Sequence, residues 1–401
     1  MIKRDAYLNK LIGFKDLPLI KVVTGIRRCG KSTLLEMFRD YLLESGVGSE
    51  QIIAVNFEDM AFGEINDAGK LHDYVTSRLI NDRQNYVILD EVQNVKEFQK
   101  AVDSLSLKKN VDIYLTGSNA YMLSGELATL LSGRYVEIAM LPLSFKEYVS
   151  FWGDRTDINR KYSDYLRYSS FPFALYLNKD AGKIRDYLSG IYHTVILKDV
   201  AARKKIADIM ILQSVVAFMF DNIGSLLSTK KIDDTMTSDG RKISTHTVEG
   251  YIALLLDSFI LYRAKRYDVK GRQHLKTQDK YYVCDIGLRW FLLGNKGGDL
   301  GHVLENVVFL ELLRRGYDVH VGKVNDREVD FVAFKQDVLE YYQVALTVRD
   351  EQKLRTELAS LEAVKDHNQK FLLTLDEDPP ASHNGIRQIN ALDFLLQNTG
   401  T

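Results

Sequence analysis

Eight residues near the start of the chain, Gly25-Ile26-Arg27-Arg28-Cys29-Gly30-Lys31-Ser32, fit G-x-x-x-x-G-K-[ST] at every fixed position. The chemistry open to such a run is phosphate binding. Backbone N–H groups wrap the anion, and glycines stand where the chain must turn tightly. Lys31 reaches the outer phosphates, Ser32 offers its hydroxyl to Mg2+, and Thr33 follows on the same turn. A second run, Tyr86-Val87-Ile88-Leu89-Asp90-Glu91, ends an apolar stretch in two carboxylates. Its spacing after Lys31 suits Asp90 to the Mg2+ shell and Glu91 to the water that attacks the γ-phosphate.

A third run, Val111 to Asn119, ends in small polar residues. Ser118 and Asn119 have two readings: sensors of the γ-phosphate, or N-caps of a following helix. Arg134 likewise reads either as a phosphate contact, in its own subunit or a neighbour's, or as a surface arginine.

These side chains need a scaffold. Leu19 to Val23 is an apolar, β-branched run, and Leu34, Leu35, Phe38 and Tyr41 recur at helical spacing after the loop. Strand-like runs also occupy 51–57, 86–89, 111–119 and 136–140, with a short amphipathic helix at 5–13 and another helix at 71–80. Alternating strands and helices from 19 to 140 predict a doubly wound parallel sheet, with ligand at the carboxyl edge.

GIRRCGKSTLL, VILDEVQNV, YLTGSNA and LSGRYVEIAMLPLSFKEYV together resemble the AAA+-related ATPase domain of a large bacterial and archaeal family of predicted ATPases. The match is close over 1 to about 150. In that family the domain precedes a C-terminal region of uncharacterised function. The resemblance implies an AAA+-like P-loop NTPase fold, with ATP bound and hydrolysed. It supplies no physiological substrate.

Residues 145–230 read as helices, with a basic stretch at 198–205. Helical patterns at 209–223, after Gly224 and at 244–256 precede two strand-like runs, 259–267 and 280–284. This order resembles a winged helix whose reading helix begins at Ser244. Thr245 and His246 would face bases, and Arg263, Lys265, Arg266, Lys270 and Arg272 would contact phosphates, with Lys276 and Lys280 in the same basic hairpin. No Arg or Lys lies among residues 244–249, so docking of a protein is the other reading.

Residues 301–390 run helix, strand, strand, strand, helix, strand, an order that resembles the PD-(D/E)-x-K nuclease core of restriction-endonuclease-like domains. Glu305 and Asp330 match its first two acids. Its acid-x-lysine pair is replaced by Gln343-Val344-Ala345, which cannot supply the lysine. The domain therefore reads as degenerate, with Glu305 and Asp330 left to hydrogen-bond or to pair with Arg327 or Lys323.

The expected organisation is an α/β chain of three domains: 1–150 ATPase, 151–290 helical and winged-helix-like, 291–401 nuclease-like. Composition agrees with globular domains: 401 residues, 46% hydrophobic, 27% charged. A net charge of −1 argues against a wholly basic nucleic-acid binder. Two cysteines, Cys29 and Cys284, exclude a disulfide scaffold and a four-cysteine zinc site. No apolar run is long enough to span a bilayer, so a cytoplasmic protein without a membrane role is expected. The function expected is Mg2+-dependent ATP hydrolysis that switches a DNA-binding region. An ATP-regulated nuclease and an adaptor ATPase docking a protein are the alternatives, and oligomers are open to it.

Overall fold

A computed structural model describes residues 2–118, 133–154, 156–199, 209–238, 243–275, 278–294 and 297–397. They form two compact units, the first from residues 1–142 with 257–259, the second from 143–256 with 260–401. Residues 151–290 and 291–401 thus both lie within the second unit, apart from 257–259.

The first unit is one parallel sheet wrapped in helices. Its strands are β1 (Ile20–Thr24), β2 (Ile52–Asn56), β3 (Asn85–Asp90), β4 (Val111–Gly117) and β5 (Tyr135–Ala139), in the order β2-β3-β4-β1-β5. β1 and β3 are buried at every position, as expected of strands covered on both faces. Lys21 is the exception in kind within β1. Its ammonium is fully buried, 2.5 Å from the Asp112 carboxylate of β4. The helices are α1 (Asp5–Gly13), α2 (Lys31–Glu44), α3 (Ala68–Thr76) and α4 (Phe98–Ser106). α2 buries Leu34, Leu35, Phe38 and Leu42, and α4 buries Phe98, Ala101, Val102 and Leu105, each a stripe at helical period. The Asp67 carboxylate caps α3 by accepting from Lys70 N (3.0 Å). This is the P-loop NTPase, AAA+-like architecture that the strand and helix pattern predicts.

The second unit starts with helices α5 (Phe145–Phe151), α6 (Ile158–Tyr168) and α7 (Ala181–Ile191), the last running into a π-helical turn at Tyr192–Asp199. Then come α8 (Ile209–Asp221), α9 (Thr229–Ser238) and α10 (Thr245–Asp257). The expected hairpin at 259–284 divides. β6 (Leu261–Ala264) pairs antiparallel with β9 (Lys280–Val283), and Leu227 bridges to Asp279 beside them. Beyond Lys265, whose carbonyl accepts from Val321 N (2.9 Å), the chain changes partner. β7 (Arg266–Asp268) and β8 (Gln273–His274) pair with each other and extend a larger sheet.

That sheet has eight strands in the order β14-β15-β13-β12-β11-β10-β7-β8. The remaining strands are β10 (Asp318–Val324), β11 (Arg327–Lys335), β12 (Val338–Ala345), β13 (Gln369–Thr374), β14 (Ala381–His383) and β15 (Ile386–Asn390). The remaining helices are α11 (Ile286–Leu293), α12 (Leu300–Arg314), α13 (Glu351–Glu362) and α14 (Ala391–Leu396). Alternation along the strands gives each face its own cover. Val332 and Tyr341 pack with Leu358 and Leu361 of α13. Phe331 points the other way, its ring 5.8 Å from Phe309 of α12. No helix among the described residues is long and apolar enough to cross a membrane.

Candidate functional site

The phosphate loop closes the carboxyl end of β1. Gly25 (φ 143°) and Gly30 (φ 102°) take backbone shapes that favour glycine. A Cβ on Gly25 would lie 2.1 Å from the Met140 carbonyl oxygen, so no other residue fits there. Gly30 starts α2 without a side-chain cap, which leaves the helix's positive end open to an anion. Arg28 is left-handed (φ 67°) and exposed, while Ile26 and Cys29 are fully buried. Burial pushes the Cys29 thiol up, so it is inert rather than reactive. Arg27 is half-buried and pairs with Glu58 at 2.5 Å.

Lys31 is 3% exposed and curls back over the loop. Its ammonium donates to the carbonyls of Gly25 (3.1 Å) and Ile26 (3.4 Å) and lies 3.5 Å from the Glu91 carboxylate. Asp90 ends β3 and Glu91 follows it in a left-handed conformation (φ 52°). Asp90 is hydrogen-bonded by the hydroxyls of Ser32 and Thr116. Burial, with Glu91 beside it, raises its carboxyl, a shift that the two hydroxyls and Lys31 reduce without cancelling. A cavity of about 190 Å³ opens beside Ser32, Asp90 and Asn56.

Thr116 is not legible as a functional residue from its sequence context. Because β4 lies between β1 and β3, its carboxyl end reaches both carboxylates. The Thr116 hydroxyl donates to Asp90 and accepts from the Glu91 N–H (2.8 Å). Ser118, on the same strand end, donates to Glu91 at 3.3 Å. The Gln93 amide donates to Glu91 as well. Asn119 lies outside the described residues. The donor set fits a nucleotide with Mg2+: an uncapped helix end, a cradle only glycine allows, and a hydroxyl beside a buried carboxylate.

Arg134 lies at the other edge of the sheet. It precedes β5 at the amino edge of the sheet, where its carbonyl accepts from Ile20 N (2.9 Å) and its guanidinium sits 4.0 Å from Asp103. The five residues of β5, roughly 16 Å of strand, separate it from the edge that carries the loop.

In the second unit, Glu305 of α12 and Asp330 of β11 do come together, around a lysine. The Lys280 ammonium of β9 lies 2.9 Å from Glu305, 2.8 Å from Glu328 and 3.7 Å from Asp330. Lys280 is 4% exposed, so it belongs to this cluster and not to a basic DNA-facing surface. It also replaces Arg327 and Lys323 as the partner expected for the two acids. Tyr282 donates to Glu305 at 2.7 Å. Burial lowers the lysine, but Glu305, Asp330 and Glu328 outweigh it and the ammonium is held well above its ordinary range. Burial and then Glu305 push Asp330 up to about 8. Gln343 is taken up: its carbonyl oxygen accepts from Asp330 N (3.3 Å) and its amide donates to Glu357 (2.9 Å). Among the described residues no group of three or more His, Cys, Asp or Glu side chains is arranged to hold a metal ion. An ammonium stands where the cation would have to be.

The residues expected to face DNA separate into two places. Thr245 and His246 open α10, where the Thr245 hydroxyl donates to Asp233 (2.7 Å) and His246 is exposed. Arg263 of β6 sits 3.8 Å from Asp279. Arg266, Lys270 and Arg272 instead belong to the β7–β8 ribbon of the large sheet, and Lys265 is the exposed residue where the chain crosses over. Lys276 lies outside the described residues. The Asp268 carboxylate shapes the ribbon's turn by accepting from Lys270 N and Gly271 N.

Residues 18–149 match the model of an AAA domain, and residues 159–299 that of a domain of unknown function (DUF8612). An uncharacterised protein of Haemophilus influenzae is 42% identical over 401 residues, spanning 99% of each chain. An uncharacterised protein of Methanocaldococcus jannaschii is 28% identical over 387 residues, 91% of this chain and 83% of its own length. Among solved structures, a Walker-type ATPase of Pyrococcus abyssi superposes with a TM-score of 0.50 at 17% identity, over 73% of this chain and 96% of its own.

Proposed function

The chain belongs to one family with the Haemophilus influenzae protein and its amino-terminal residues form an AAA-type P-loop ATPase domain; from that premise we propose that it hydrolyses ATP with Mg2+ and uses the cycle to switch how its second unit engages DNA. The observation that carries hydrolysis is the meeting of Lys31, Asp90, Glu91 and Thr116 at one strand edge. Loop N–H groups from Gly25 to Thr33 and the Lys31 ammonium hold the phosphates. Ser32 and Asp90 would hold Mg2+, and the ion would supply neutralisation of charge on the phosphate oxygens. Glu91 polarises the attacking water and takes its proton, while Thr116 fixes Asp90 and the Glu91 backbone together. Ser118, which donates to Glu91, reports the γ-phosphate, with Asn119, the next residue in the sequence, as the other candidate. Arg134, exposed at the far edge and near Asp103, keeps two readings, a contact to the phosphate of a neighbouring copy or a surface arginine.

Three helices followed by an antiparallel strand pair support the winged-helix reading of the middle segment, 151–290, and exposed Lys265, Lys270, Arg272 and His246 support DNA contact. The engagement of Thr245 by Asp233 and of Arg263 by Asp279 favours a second reading, in which this face docks a protein. Cleavage by the 291–401 segment is disfavoured because Lys280 fills its acid cluster.

The test is ATP turnover of the parent and of Lys31→Ala, with and without double-stranded DNA. Turnover in the parent alone, changed by DNA, is the expected result. No turnover under any condition removes the switch and leaves nucleotide binding only. Turnover that DNA leaves unchanged favours protein docking.

A further inference from the structure

In the second unit a groove of about 750 Å³ runs along the end of the large sheet, between the β7–β8 ribbon and the chain that leaves α13. This is inside the ~300–1,000 Å³ range of ligand sites. Its half-buried aromatic residues are Tyr267 of β7 and Phe334 of β11, their rings 5.2 Å apart and edge to face at 77°. Tyr341, 1% exposed, closes the floor. The exposed His274 continues the ring series 5.4 Å from Tyr267.

The rim is cationic. Lys270 and Arg272 come from the turn of the ribbon and Lys365 from the opposite bank, and all three are exposed. One acid lines the groove, Asp366, and its carboxylate is occupied by the Tyr341 hydroxyl (2.5 Å) and by Asn368 N (3.1 Å). Rings at depth and cations above them are the two parts that an unpaired base with its phosphates requires. In a duplex the base faces are stacked on one another and cannot reach rings below a rim.

We propose that this groove binds a single-stranded DNA segment, bases against Tyr267 and Phe334 and phosphates against Lys270, Arg272 and Lys365. This rests on the reading that the second unit engages DNA, and it assigns the β7–β8 ribbon to an opened strand and not to the duplex.

The experiment is fluorescence anisotropy of the full-length protein with labelled (dT)12, a 12-bp duplex and dTMP as competitor, across a salt series. Each phosphate that a single strand presents to a cation contributes about 0.7 to the salt slope. The expected result is binding of (dT)12 whose slope falls by about 1.4 in Lys270→Ala/Arg272→Ala, and by about 2 once Lys365→Ala is added. Tyr267→Ala weakens (dT)12 roughly 5- to 100-fold. Tyr267 also packs against the core, so Tyr267→Phe, which keeps the ring, must restore affinity. Absence of (dT)12 binding, or binding that these exposed-residue variants leave unchanged, overturns the proposal. Displacement by dTMP at equal concentration overturns it in favour of a free nucleotide. Absence of (dT)12 binding together with duplex binding that is lost in His246→Ala keeps the DNA reading while overturning this one.

Discussion

The Lys31 ammonium lies 3.5 Å from the Glu91 carboxylate, both within a shell less than a tenth exposed. The phosphate-binding cation and the residue placed to activate water therefore hold each other. Phosphate must draw the lysine forward before Glu91 is free to take a proton. Glu91→Gln keeps nucleotide affinity, because Lys31 loses a competitor, while steady-state turnover falls ~10²- to 10⁴-fold. Turnover within tenfold of the parent would remove Glu91 from the reaction.

Thr116→Val keeps the shape of the buried strand and deletes the hydroxyl between Asp90 and the Glu91 N–H. We expect a loss of about 1–3 kcal/mol in stability from the unpaired N–H and a fall in kcat larger than the change in KM. A kcat equal to the parent's would make Thr116 a packing residue only.

Gly25→Ala drives a methyl group into the Met140 carbonyl oxygen at a backbone angle that disfavours side chains. Both effects act on one atom, so a loss of at least ~3 kcal/mol is expected, read by urea denaturation of the first unit. Normal stability with normal ATP binding would contradict the close approach.

Lys280→Met leaves Glu305, Glu328 and Asp330 facing one another without a cation. Breaking a buried ion pair from one side costs about 3–5 kcal/mol. Adding Glu305→Gln recovers part of that loss, since the charge left uncompensated is then gone. Neither the parent nor Asp330→Asn should cleave DNA with Mg2+ or Mn2+.

Asp330 gives stability a pH dependence of defined sign. Burial, and then Glu305, raise its carboxyl to about 8, above the ordinary value near 4. Between those two values the folded protein keeps a proton that the unfolded chain gives up. Stability therefore falls as pH rises through this window. Asp330→Asn removes the effect, so the variant should gain on the parent between about pH 5 and about pH 8.5, on the order of 4 kcal/mol. A difference that stays constant across that range would mean Asp330 titrates normally.

Legibility in the sequence tracks how local each constraint is. The phosphate loop is contiguous, and its glycines answer to the backbone shape of eight residues. Asp90 and Glu91 end a buried run and are equally plain. Thr116 is hidden because its role depends on β4 lying between β1 and β3, a fact of strand order that no spacing encodes. Arg134 keeps two readings in the sequence for a related reason, since proximity to a family-specific segment does not say which sheet edge a residue occupies. Lys280 stands 25 residues before Glu305 and 50 before Asp330. As a lysine among lysines it reads as solvated, and only the pairing of β6 with β9 turns it inward. The ribbon at 266–274 likewise reads as part of one hairpin, because no local signal marks the exchange of partners at Lys265.

The loop at 25–32 is finished by residues that follow it by more than a hundred positions. Gly25 abuts the carbonyl of Met140, and the Arg4 guanidinium donates to the carbonyls of Cys29 (2.9 Å) and Leu141 (2.7 Å), tying both ends of the domain across the loop. On the ribosome, a nascent chain carries the motif long before it carries the site. Affinity for nucleotide then appears as one late step, when β5 docks beside β1. Chains released after residue 118 and after residue 142, titrated with labelled ATP, should differ as absent from present. A gradual rise with length would show that the loop assembles without that final strand.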